Sequence, residues 1–115
     1  MAEECIFCRI ISGDIASDTV FENEEIVAFR DTHPVAPTHV LVVPRRHIES
    51  VNALSMDDAA LLGRMLLAAK DIAALEGVSD SGYRLVINTG PDSGQAVAHL
   101  HLHVIGGRSL KDRIG

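Results

Sequence analysis

Histidine occupies every second position of the segment His99-Leu100-His101-Leu102-His103, and this spacing restricts the 115-residue chain more than any other feature. In an extended strand successive side chains point to opposite faces, so the three imidazoles share one face while Leu100, Leu102 and Val104 share the other. The aliphatic face belongs in a core. Three imidazoles in a row pack poorly as core residues, because each brings two ring nitrogens that need partners. Imidazole also titrates nearest to neutral pH, so the row can supply a nucleophile, a proton donor and anion-binding N–H groups, a combination suited to attack on phosphorus. His-x-His on a strand is also how zinc enzymes present two ligands, which makes a metal site the competing reading.

The segments around this row are short and clearly punctuated. Ile6, Phe7, Ile10 and Ile11 predict a short helix between Cys5 and Ile15 that stops near Gly13. Thr19 to Phe21 and Ile26 to Phe29 flank Glu22-Asn23-Glu24-Glu25, the pattern of a hairpin. Pro34 and Pro37 make the stretch from Asp31 to Thr38 an ordered loop, and strand character returns from His39 to Val43 until Pro44. Ser55 as N-cap, Asp57 and Asp58 in the first turn, and apolar residues from Leu61 to Ala73 predict one long helix ending near Gly77. Tyr83 to Asn88 reads as a fourth strand, the loop from Thr89 to Gly94 breaks it, and the last strand runs from about Val97 to Ile105. Five strands with one long and one short helix predict an α+β fold, an antiparallel sheet with its helices on one side.

This length suits a single domain spanning residues 1–115, since a second core would leave each half too small to bury its apolar side chains. No uncharged apolar run approaches the roughly 20 residues of a membrane helix, so no membrane partner is expected. The start, Met1-Ala2-Glu3-Glu4-Cys5, is acidic where a secretory signal is basic, which predicts a cytoplasmic protein. A net charge of −6 repels polyphosphate chains, and one Tyr and three Phe offer few stacking platforms, so nucleic acid is not an expected partner. A small anion is still a suitable ligand, because imidazoles and backbone amides act at short range. The glycine-containing loop Gly90-Pro91-Asp92-Ser93-Gly94-Gln95 leads directly into the histidine strand and can present such amides. The polar tail from Arg108 to Gly115 is of a kind that stays mobile or reaches a partner subunit.

Cys5 and Cys8 are too close together to staple a domain of this size. On one helical turn they can chelate a face of a zinc ion, with His47 and His99 completing a Cys2His2 set. A redox Cys-x-x-Cys is the sharper alternative, but it lacks the βαβ context of thioredoxin-like sites. Two reduced core cysteines beside a metal-free His47 are the plain alternative.

Across nearly its whole length the sequence resembles the histidine-triad family. The family motif alternates histidine with apolar residues and ends in two apolar positions, as in His99 through Ile105, and Gly106-Gly107-Arg108 follows. Cys5-Ile6-Phe7-Cys8, Ala28-Phe29-Arg30-Asp31, Ala36-Pro37-Thr38-His39, Val42-Val43-Pro44, Asn88 and Gly94-Gln95 extend the match, which is most similar to the Hint branch of nucleoside phosphoramidases. The resemblance implies a homodimeric hydrolase that splits the P–N bond of adenosine 5′-phosphoramidates, with a purine nucleoside monophosphate or phosphoramidate as ligand and no cofactor required for catalysis. It implies His101 as the nucleophile that becomes nucleotidylated, oriented by the backbone carbonyl of His99. It implies phosphate contacts from His103, Asn88 and the main chain from Gly94, Gln95 and Ala96 to Val97, with support from His39. By the same carry-over Asp31 and Thr32 hold the ribose, and Ile6, Phe7, Ile10 and Phe29 form the purine slot. Ordinary core packing is the alternative for those four apolar residues, and a loop-capping carboxylate the alternative for Asp31. Zinc on Cys5, Cys8, His47 and His99 is a property of several bacterial members.

One position departs from the pattern: many Hint proteins carry a hydroxyl residue where this chain has Ala96. One lost hydrogen bond to charge is worth roughly 1.5–3 kcal/mol, so the expectation is lowered or altered activity. The rival functions are a dinucleoside-polyphosphate hydrolase, a non-catalytic nucleotide-binding or interaction protein, and, more distantly, a carbonic-anhydrase-like metal enzyme.

Overall fold

A computed structural model of the protein describes residues 4–111 and 114. The N-terminal residues 1–3, read above for a targeting signal, and part of the polar tail lie outside the described residues. Helix α1 covers Ile6–Ile11, strand β1 Thr19–Glu22, β2 Ile26–Arg30 and β3 Thr38–Pro44. Helix α2 covers Ala59–Leu75, followed by β4 Tyr83–Val86 and β5 Leu102–Gly106. The five strands form one antiparallel sheet in the order β1-β2-β3-β5-β4. Among the described residues no helix is long and apolar enough to cross a membrane.

Local chemistry explains the boundaries. The β1–β2 hairpin turns on Asn23, whose side-chain oxygen accepts from the amides of Glu25 and Ile26 at 2.9 Å each. Ser55 caps a single 3-10 turn, Met56–Asp58, before α2 proper, in a box with Asp58 that also pairs Asp58 with Arg46. At the far end of α2 the chain reverses at Gly77, whose φ of +76° favours glycine.

Two expectations need correction. The helices lie on opposite faces of the sheet, not on one side. Ile26, Ala28, Val40, Val42, Leu102 and Val104 pack with Met65, Ala69 and Ile72 of α2, whereas Val27, Phe29, Leu41 and Val43 pack with Phe7 of α1 and with Cys5. The reason is visible in β2 and β3, which carry the apolar runs Ile26 to Phe29 and Val40 to Val43, the pattern of strands buried on both faces. The last strand begins at Leu102 rather than near Val97, and β4 stops at Val86 rather than Asn88. In the β3–β5 register Val42 faces Leu102, so continuation would set Leu100 against Pro44, which has no N–H to donate. Leu100 instead donates its amide to the Ile48 carbonyl at 2.6 Å, and the chain bends from Val97 to His99 and stays outside the ladder through His101.

Candidate active site

On the α1 side of the sheet a pocket of about 670 Å³ opens between α1, β2 and the approach to β5. Ile6, Phe7, Ile10, Phe29 and Leu41 make its apolar wall. Asp31, Thr32 and His33 stand along one side, and Ala96, Val97, His101 and His103 along another. Thus ten of the expected nucleotide contacts gather around one cavity, with Ala96 among them. Asn88, Gly94 and Gln95 do not line it. Gln95 organises its own loop: its side chain accepts from Gly90 N–H at 2.9 Å and donates to the carbonyls of Glu49 and Val97 at 2.8 and 3.0 Å.

The alternation of the histidine row survives although only His103 sits within β5. Leu100 and Leu102 are buried against α2, while the rings of His99 and His101 meet Phe7 edge-on, with centroids 5.9 and 5.1 Å away. Hydrogen-bond partners then assign each ring its proton. His101 Nδ1 lies 2.7 Å from the His99 carbonyl, which only accepts, so Nδ1 carries the proton and Nε2 keeps its lone pair. His99 Nε2 donates to the Pro44 carbonyl at 2.8 Å, leaving the His99 Nδ1 lone pair toward Cys5 and Cys8. His39 Nδ1 accepts from the Val35 amide at 3.2 Å, so its Nε2–H donates to His103 Nδ1 at 2.9 Å. His103 is therefore protonated on Nε2 and offers an N–H donor.

Burial favours the neutral form of His39, His99 and His103. Burial, followed by the neighbouring His101 and His39, pushes the His103 ring down to about 4. Burial also lowers His39, against the opposing pull of Asp31, and lowers His99, against its bond to Pro44. Asp31 accepts from the His33 amide at 2.8 Å and approaches His39 Nε2 at 3.5 Å. Asp31, His39 and His103 bring one ligand atom each within 4.8 Å of one another. The Val35 amide nevertheless commits His39 Nδ1 as an acceptor, so a metal on Nε2 would require an imidazolate. The trio is wired by protons.

A second cluster fits a metal better. One ligand atom from each of Cys5, Cys8, His47 and His99 lies within 4.8 Å of the others. The sulfur–nitrogen separations are 3.3 Å for Cys5–His99, 3.3 Å for Cys8–His47 and 3.6 Å for Cys8–His99. Tetrahedral zinc with Zn–S near 2.3 and Zn–N near 2.05 Å sets such edges at about 3.5 Å. Both cysteines are free thiols, and burial together with Cys5 raises Cys8.

Several lining residues carry no signal readable in advance. Ile15, Ala16, Ser17 and Asp18 form a wall from a loop without periodicity, and Arg30 joins it, held by a bidentate pair to Glu76 at 2.6 and 2.9 Å. Leu41 was findable, since strand alternation puts it on the face of β3 opposite Val40 and Val42.

Sheet, pocket and imidazole row define a class of protein that comparison identifies. The HIT domain model matches residues 12–110, and the chain belongs to that family. It is 47% identical over 110 residues to purine nucleoside phosphoramidase of Escherichia coli (strain K12), covering 96% of this chain and 92% of that protein. It is 50% identical over 110 residues, 96% of each chain, to an uncharacterised HIT-like protein of Synechococcus elongatus. The crystal structure of a HIT family hydrolase from Legionella pneumophila Philadelphia 1 superposes with a TM-score of 0.94 at 46% identity, covering 97% of this chain and 100% of that one. A histidine triad protein from Clostridium difficile superposes with a TM-score of 0.91 at 38% identity, covering 95% of each. The protein is a hydrolase of the HIT family, close in sequence to a purine nucleoside phosphoramidase.

The protonation scheme is testable on the free protein. In ¹⁵N spectra of the imidazoles, His103 stays neutral as the Nε2–H tautomer through pH 5 and titrates near 4. The unfolded ring protonates near 6.5, so the native state binds fewer protons between these values and stability falls as pH drops through that window. A His103 midpoint at 6.5 contradicts the scheme.

Proposed function

We propose that this protein hydrolyses purine nucleoside 5′-phosphoramidates to the nucleoside monophosphate and an amine through a covalent intermediate on His101. The observation that carries the reading is the His101 ring in the pocket wall, its Nδ1 proton engaged by the His99 carbonyl at 2.7 Å and its Nε2 lone pair free for attack. As Nε2 bonds to the α-phosphorus the P–N bond breaks, and the departing amine takes a proton from solvent. The ring then carries positive charge, which the His99 carbonyl stabilises through Nδ1–H. Water next attacks phosphorus, the Nε2–P bond breaks, a proton is released, and the neutral ring returns. One hard displacement becomes two easier ones.

The other roles follow from chemistry and position. His103 donates Nε2–H to a phosphate oxygen, aided by main-chain amides at Ala96 and Val97, so charge that develops at phosphorus meets donors already aligned. Asp31 and Thr32 receive the ribose, and Ile6, Phe7, Ile10 and Phe29 sandwich the purine. Asn88 adds a phosphate contact, and Gly94 and Gln95 shape the loop that presents those amides. Ala96 supplies no hydroxyl for the leaving group, which slows the first step without abolishing it. The reaction so written needs no cofactor. Leu66 and Leu67 on α2 and Leu85 on edge strand β4 are exposed apolar residues, and we assign them to the face of a homodimer. The free thiols suit a reducing cytoplasm.

We further propose a structural zinc on Cys5, Cys8, His47 and His99. Bound there, it ties α1 and the connection after β3 to the residue whose carbonyl orients His101.

Two experiments test these assignments. Acid quench of the protein during turnover of an adenosine phosphoramidate, followed by peptide mass spectrometry, is expected to place an AMP adduct on His101, and His101→Gln to lose both adduct and at least a thousandfold in turnover. A variant that keeps parental turnover overturns the mechanism. AMP binding with no amine release marks a non-catalytic binding protein, and preferential cleavage of dinucleoside polyphosphates marks the other family chemistry. Metal analysis of purified protein is expected to find about one zinc per chain, lost in Cys8→Ser. A metal-free parent removes the zinc proposal.

A further inference from the structure

Strand β5 ends at Gly106, and the next two residues fold back onto the loop that follows β2. Gly107 has φ of +92°, and a Cβ on it would stand 2.9 Å from Cβ of Pro37, so neither the backbone conformation nor the space admits a larger residue. Arg108 then turns its guanidinium onto the same loop. Nε and Nη2 both donate to the Val35 carbonyl, at 3.0 and 2.9 Å, and Nη1 donates to the Ser109 carbonyl at 2.9 Å. Pro34, Val35 and Pro37 are exposed, with Val35 at 55%, so apolar burial does little to hold this loop apart from Ala36. Its position depends on polar contacts.

Val35 is gripped from both sides. Its carbonyl accepts from Arg108, and its N–H donates to His39 Nδ1 at 3.2 Å. That bond obliges His39 to carry its proton on Nε2 and to donate to His103 Nδ1 at 2.9 Å. The chain Arg108, Val35, His39, His103 closes on the strand from which Arg108 emerges.

We infer that Arg108 is a positioning residue, which fixes the Nε2–H tautomer of His103 through the Val35 amide and His39. Gly107 allows the close approach that puts the guanidinium within reach. The inference rests on the reading of His103 as the phosphate donor, because only the Nε2–H form can donate on that side. If the Val35 amide withdraws, the remaining pull on the His39 Nε2 proton is Asp31 at 3.5 Å, and His39 gains access to the form that holds its proton on Nδ1 and offers Nε2 as an acceptor. His103 then turns its own proton to Nδ1 and presents a lone pair where the phosphate needs a donor.

The test pairs ring ¹⁵N spectra of the free protein with steady-state kinetics on an adenosine phosphoramidate, for the parent, Arg108→Ala and Arg108→Lys. The parent is expected to show His103 as a single Nε2–H tautomer. Arg108→Ala is expected to show a mixture, with kcat lowered about tenfold and KM within about twofold, since donor alignment and not substrate affinity is lost. Arg108→Lys, which keeps one donor, is expected to recover part of both. An unchanged tautomer in Arg108→Ala overturns the inference, and so does a mixed tautomer with parental kcat. Should Arg108→Ala not fold, Arg108→Lys decides: parental tautomer and kcat together overturn the inference, and an intermediate of both supports it. Absence of phosphoramidase turnover in the parent would defeat the functional reading instead, while the spectra would still report whether Arg108 sets the tautomer.

Discussion

The hydrogen bond from His101 Nδ1 to the carbonyl of His99, 2.7 Å long, is the contact on which the rest of the site depends. It decides which nitrogen of His101 bears the proton and therefore which one keeps a lone pair toward the pocket. The donor and acceptor lie two residues apart on a stretch that no strand ladder holds. Something else has to keep that backbone still. Leu100 does part of this, with its side chain buried under α2 and its amide bonded to Ile48 at 2.6 Å. The His99 ring does the rest, fully buried, donating to Pro44 on one side and facing two sulfurs on the other.

His99 thus joins two centres. Its carbonyl orients the ring in the pocket, and its side chain belongs to the cysteine cluster. A metal on that cluster would act on catalysis only through the rigidity of His99, in the manner of outer partners that orient a reactive group. On the other side of the pocket the same logic runs through Val35, whose amide sets His39 and hence His103. His101 and His103 both take their tautomers from backbone groups, which cannot themselves change protonation state.

Legibility in the sequence follows the physics of each element. The α2 periodicity and the β2 and β3 runs are strong because a large buried face repeats its demand every turn or every second residue. Their unbroken apolar character also signalled burial on both faces, and this is why α1 and α2 lie on opposite sides. Alternation at His99 to His103 located the pocket but overstated β5, because it specifies which face each side chain takes and not whether the backbone is paired, and Pro44 stops the pairing. Cys5 and Cys8 were legible as a chelating pair from their spacing, whereas His47, 39 residues beyond Cys8, could be named as a candidate ligand by its chemistry but not placed beside them. The wall from Ile15 to Asp18 and the grip of Arg108 on Val35 were not legible, because tertiary contacts of loops leave no period in the sequence.

In the proposed mechanism phosphorus is attacked twice, first by His101 and then by water. Each in-line attack inverts the configuration at phosphorus. Hydrolysis of an adenosine phosphoramidothioate of known configuration in ¹⁸O-labelled water, with the product's stereochemistry read by ³¹P spectroscopy, therefore counts the displacements directly. Overall retention is the predicted result, and overall inversion, the mark of a single attack by water, would contradict the account.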